Sequence, residues 1–128
     1  MNRVILDASA ILAVIHQESG YEKLTPELLS RAAASAVNLA EVQSKLLGRG
    51  WMSDEAWEDA ASPIREVLSF NEEQARIAGD LIAQTRRFGL SLGDRACLAL
   101  ATALKAPVYT AEKSWKSLGL DVPIHVMR

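Results

Sequence analysis

The chain has 128 residues, 49% hydrophobic and 23% charged, enough for one domain with its own core and too apolar for a disordered chain. A formal net charge of −2 argues against nucleic-acid binding by bulk positive charge, but leaves room for an acidic metal site with a basic rim at Lys45, Arg49, Arg86, Arg87, Arg95, Lys113 and Lys116. The apolar runs are too short to span a bilayer, Asp7 interrupts any signal-peptide layout, and the single Cys97 excludes an internal disulfide, so the expected setting is a reducing cytoplasm with no membrane partner.

Residues 3–6, rich in β-branched side chains, predict a short buried strand, and 8–17 a helix stopped at Glu18-Ser19-Gly20. A short helix is expected at 21–31, with Pro26 in a first turn. The small apolar run Ala33–Val37 predicts a second strand. Asn38 then opens a helix with Leu39, Val42 and Leu46 on one face, ended by Gly48 and Gly50. Ser53 is expected to cap a helix over 54–61 that carries Trp57 and closes at Pro63, and Glu66–Phe70 predicts a third strand. After Asn71 comes a long helical pattern, with Ala75, Ala78, Leu81, Ile82 and Thr85 on one face and a stop at Phe88-Gly89. Ser91 opens the next helix, apolar on most sides and so expected to be buried. Pro107–Thr110 predicts a fourth strand, 111–118 a short helix and Ile124–Val126 a fifth strand. Strands alternating with helices predict an α/β fold: a mostly parallel central sheet of about five strands with helices on both faces, a single domain over 1–128.

In such a sheet the reactive crevice lies outside the carboxyl ends of the strands. Asp7, the one charge in "VILDASAIL", directly follows the first strand, and burying it there costs several kcal/mol unless something pairs with it. Glu41 falls in the expected first turn of the helix after strand two, Asp94 in the first turn of the helix opened by Ser91, and Glu112 two residues after strand four. Side chains in a helix's first turn lean back toward its N-terminus, so all four can converge on one sheet edge. Each also has a plainer reading. "NLAE" (38–41) and "SLGD" (91–94) fit capping boxes, Asp7 fits an N-cap, and Glu112 fits a solvated turn. Together, four acids at strand-to-helix junctions offer hard oxygen ligands for Mg²⁺ or Mn²⁺, with Ser9 adding an oxygen beside Asp7. One cysteine and two histidines, His16 and His125, give no zinc pattern. A divalent ion would relieve repulsion among the acids and activate water for attack on a phosphodiester.

The segments "VILDASAIL", "NLAE", "SLGDRACLALA" and "VYTAEKSW" resemble the ordered motifs of PIN-domain ribonucleases, specifically the VapC-type toxins of toxin–antitoxin pairs, over nearly the whole chain. The resemblance implies a PIN-like three-layer domain and a Mg²⁺- or Mn²⁺-dependent endoribonuclease. It places the catalytic, metal-binding acids on Asp7, Glu41, Asp94 and Glu112. Glu112 departs from the Asp usual at its position, and its extra methylene changes its reach. The resemblance further implies support of the first acid by Ser9, a phosphate contact from Arg95, RNA as substrate, a homodimer, and a cognate VapB-like antitoxin. Trp51, Trp57, Met52 and Leu47 are candidates for the antitoxin's apolar groove, with core packing expected for at least one of the tryptophans. Cys97, one turn after Asp94, reads as a small core residue. The rival phosphoacceptor folds need adjacent acids or D-x-D after strand one, and "DAS" supplies neither. A catalytically weak metal-binding or regulatory module acting through a protein partner is the alternative.

Overall fold

The computed structural model describes residues 2–128. Five strands, β1 (Val4–Leu6), β2 (Ala32–Ser35), β3 (Glu66–Leu68), β4 (Val108–Thr110) and β5 (Ile124–Val126), form one sheet in the order β3-β2-β1-β4-β5. Every neighbouring pair is parallel, so the sheet is wholly rather than mostly parallel among the described residues. The chain reverses its direction of travel across the sheet at β1, because β2 and β3 lie to one side and β4 and β5 to the other. That reversal makes the carboxyl end of β1, where Asp7 follows, the switch point at which ligands bind in open α/β sheets.

Strand alternation divides the core in two. Val4, Leu6, Ala32 and Ala34 face α1 (Ala8–His16), α3 (Ala36–Gly48) and α4 (Ser53–Ala61), while Ile5, Ala33 and Val108 face the other layer. In that second layer α7 (Leu92–Leu104) supplies Leu98 and Leu100 and packs on α5 (Glu72–Asp80). Ala96 through Ala101 are all buried, as the apolar character on most sides of this helix predicts.

Several expected boundaries move, each for a local reason. The second strand spans Ala32–Ser35 rather than Ala33–Val37, and its helix begins at Ala36 because the Ser35 hydroxyl accepts the Val37 N–H as an N-cap. "NLAE" is therefore not a capping box, and Glu41 lies in the helix's second turn. The helix expected at 21–31 divides into a 3₁₀ turn, Tyr21–Lys23, and α2 (Pro26–Leu29). Pro26 holds Thr25 extended (φ −66°, ψ 160°), and Thr25 then caps the new helix. Helix α4 begins one residue earlier than expected, with Met52 in the cap position. The third strand ends at Leu68, and the long pattern after Asn71 resolves into α5, α6 (Ile82–Thr85) and a 3₁₀ turn, Arg86–Phe88. The segment after β4 is a 3₁₀ helix, Lys113–Ser117. Among the described residues no helix is long and apolar enough to cross a membrane.

The turn after α1 is locked to the C-terminal segment. Gly20 has φ +91°, and a Cβ there would collide with the Met127 carbonyl, while Arg128 donates to the Ser19 carbonyl and pairs with Glu18 at 3.0 Å. Gly20→Ala combines left-handed backbone strain with a backbone clash, so urea denaturation should show a loss of about 2 kcal/mol or more. An unchanged midpoint would contradict this packing.

Candidate active site

Asp7 is 2% exposed and stands at the carboxyl end of the central strand. Its Oδ1 accepts the Ala10 N–H at 2.8 Å, capping α1. Capping is only part of its environment. Thr110, the last residue of β4, donates its hydroxyl to Asp7 Oδ2 at 2.6 Å, and the Ser9 hydroxyl lies 2.8 and 2.9 Å from the two carboxylate oxygens. The Ala111 N–H donates to Ser9 Oγ and the Glu112 N–H to Thr110 Oγ1, so both hydroxyls are themselves oriented by the backbone after β4. Burial pushes the Asp7 carboxyl up to about 6, the negative charge of Asp94 adds to the rise, and the Thr110, Ala10 and Ser9 hydrogen bonds oppose it. No cation partners this carboxylate among the described salt bridges.

Glu41 reaches the same region from α3. Asn38, one turn earlier and 1% exposed, donates from Nδ2 to Glu41 Oε1 at 2.8 Å and to the Gly93 carbonyl at 3.0 Å. The Glu41 carboxylate rests on Gly93 in the first turn of α7, the positive end of that helix. Asp94 sits one residue further on. It forms the expected capping box, accepting the Ser91 N–H at 2.9 Å while its own N–H donates to Ser91 Oγ at 3.2 Å. The buried Cys97 thiol registers the convergence: burial pushes it well up, and the charges of Asp7, Asp94 and Glu41 push it further. Three acids from three elements thus act on this one buried thiol.

Glu112 differs from these three acids in being exposed. It begins the 3₁₀ helix after β4, and its side chain caps nothing there. Arg95, for which a phosphate contact is expected, donates from its guanidinium to the Ala78 carbonyl at 2.8 Å and ties α7 to α5. Among the tryptophans, Trp51 packs on the core and its indole N–H donates to Asp59 at 2.6 Å. Met52 (71%), Trp57 (44%) and Leu47 (42%) are the exposed apolar side chains of that region.

Among the described residues, no three acids, histidines or cysteines are already drawn close enough to grip an ion together. The chemistry of the site nevertheless fits a hard divalent cation. The donors are carboxylate oxygens, Asp7 and Asp94 repel each other without a counter-charge, and Asn38 Oδ1 is buried with no hydrogen-bond partner. Asp94 Oδ1 and Glu41 Oε2 lie outside the hydrogen bonds that hold their side chains.

Sequence reasoning gave no site role to Thr110, Asn38 or Gly93. The one signal for Thr110 is its place as the last residue of an expected strand; that for Gly93 is a glycine in the first turn of a helix. Asn38 reads from the sequence as a helix start and the first residue of the "NLAE" box.

A model of the PIN domain matches residues 4–119. No curated protein sequence matches the chain. Among solved structures, the chain is similar to VapBC2 of Rickettsia felis bound to a promoter DNA fragment, with 21% identity, 98% of each chain covered and a TM-score of 0.73. It is also similar to DNA-bound VapBC of Salmonella typhimurium, with 18% identity, full coverage of both chains and a TM-score of 0.76. A third similar structure is the sarcin–ricin-loop-cleaving toxin VapC20 of Mycobacterium tuberculosis, with 16% identity, 91% of this chain and 95% of that one covered, and a TM-score of 0.69.

Proposed function

The chain belongs to the PIN-domain family, and from that premise we propose that it is a VapC-type toxin, a metal-dependent endoribonuclease that hydrolyses RNA phosphodiester bonds. The observation that carries this reading is Asp7: a buried carboxylate at the sheet's reversal point, fixed by Ser9 and Thr110, lacking a cationic side chain and facing the charge of Asp94. The likeness to VapBC complexes and to a toxin that cleaves an RNA loop supports it at the level of the fold.

In this reading Asp7, Asp94 and Glu41 hold Mg²⁺ or Mn²⁺, and exposed Glu112 completes the shell from the rim or through water. The bound ion supplies activated water and charge neutralisation at the phosphodiester. The chain's own contribution is orientation. Ser9 and Thr110 keep the Asp7 carboxylate ionised and fixed, Asn38 steers Glu41, and the capping box sets the placement of Asp94. Basic side chains at the rim would contact phosphate, and unstacked bases would provide specificity. A homodimer in the cytoplasm, restrained by a VapB-like antitoxin, completes the proposal. The exposed Leu47, Met52 and Trp57 offer that antitoxin apolar contact.

Purified protein should cleave RNA with Mg²⁺ or Mn²⁺ and stop in excess chelator. Asp94→Asn should slow cleavage by more than the roughly 10–100-fold typical of outer-shell metal partners. Cleavage by the variant at the wild-type rate would remove Asp94 from the mechanism. The competing reading, a metal-binding or regulatory module with weak catalysis, draws on the absence of three acids already drawn together among the described residues and on the exposure of Glu112. That reading predicts ion binding without measurable cleavage in the same assay.

A further inference from the structure

We propose that Asn38 and Gly93 act as a pair of positioning residues that lock the Glu41 carboxylate onto the first turn of α7. As a statement about metal binding this rests on the nuclease reading above; as a statement about the fold it stands on geometry alone. The Asn38 amide is buried, and its single NH₂ group spans two helices, donating to Glu41 Oε1 at 2.8 Å and to the Gly93 carbonyl at 3.0 Å. Both protons of that group are used, so the amide cannot rotate without breaking a bond on one helix or the other.

Gly93 supplies the second half of the lock. A Cβ at this position would lie 2.5 Å from Glu41 Cδ and Oε1, well inside contact distance. Gly93 is not in a left-handed conformation, so backbone freedom does not explain it. Its missing side chain is space for the Glu41 carboxylate. The arrangement keeps a negative group against the positive end of α7, beside Asp94.

Two measurements on the full-length chain separate the lock from the metal reading. In metal-free protein, Glu41→Gln and Gly93→Ala should each shift the Asn38 side-chain amide signals in an ¹H–¹⁵N spectrum and hasten their exchange with solvent. Signals that stay in place in both variants would overturn the lock. Gly93→Ala is the safer variant for folding, since alanine is the better helix former and Asn38 stays intact.

The second measurement is Mn²⁺ binding, read from loss of the free-ion EPR signal. Asn38→Ala and Gly93→Ala should each weaken binding about tenfold. In a Glu41→Gln background, adding Asn38→Ala should change nothing further, because Asn38 acts through Glu41. Effects that multiply in the double variant would overturn the positioning role. Wild-type protein that takes up no Mn²⁺ would refute the nuclease reading, while the amide signals would still decide the lock.

Discussion

Replacing Asp7 with asparagine should stabilise the metal-free protein at neutral pH while removing the proposed nuclease activity. In the folded chain the Asp7 carboxyl titrates near 6 instead of 3.8, chiefly because it is buried. Between those pH values the folded state keeps a proton that the unfolded chain has lost, so stability falls as pH rises through the window and stays lower above it. A shift of this size corresponds to a loss of about 3 kcal/mol at pH 7. Asparagine removes the charge and keeps the shape. Its carbonyl can accept the Ala10 N–H, and the Ser9 and Thr110 hydroxyls can turn to accept from its amide. Because the new hydrogen bonds are weaker than those to a carboxylate, a net gain of about 1–3 kcal/mol is expected at pH 7 and little change near pH 4. Urea denaturation in chelator at the two pH values measures it. A variant clearly less stable than wild type at pH 7 would mean that Asp7 serves only as a structural cap.

The second large effect is stabilisation by the ion itself. If the acids hold a divalent cation, Mg²⁺ or Mn²⁺ at one hundred times its dissociation constant should add about 2.7 kcal/mol. For a chain of this size that raises the melting temperature by about 10 °C. The effect should shrink as pH falls through 6, because protonated Asp7 competes with the ion. It should be largely lost in Asp7→Asn, which has no ionised oxygen to offer. Equal melting temperatures with Mg²⁺, with Mn²⁺ and in chelator at pH 7.5 would argue that no ion binds.

The legible part of this protein was the part written in one-dimensional pattern. The uninterrupted apolar runs at Val4-Ile5-Leu6 and Ala33-Ala34 mark strands buried on both faces, and the acids after the strands mark the sheet edge. The start of α3 was less legible, because small residues suit a strand and a helix almost equally. Ladder bonding of Val4 to Ala32, together with the Ser35 cap, decides it. Strand order was beyond local pattern altogether, since nothing near Asp7 announces that Thr110 will lie beside it. For the same reason Asn38 and Gly93 passed unnoticed. Their significance is mutual, a side chain on one helix fitted to a missing side chain on another. Arg95 shows the converse. A position next to Asp94 invites a functional role, yet its guanidinium reaches away to Ala78.

The pairing of β1 with β4 sets a schedule as well as a geometry. Thr110 is made 103 residues after Asp7, and Asp94 and the backbone N–H groups that orient Ser9 and Thr110 likewise follow Asp7 late. The partners β2 and β3 on the other side of β1 can assemble earlier. Over that interval a nascent chain carries Asp7 without the groups that fix it. On the proposed nuclease reading, the site is complete only after residue 112 has cleared the ribosome, so the protein is made next to RNA in an unarmed form.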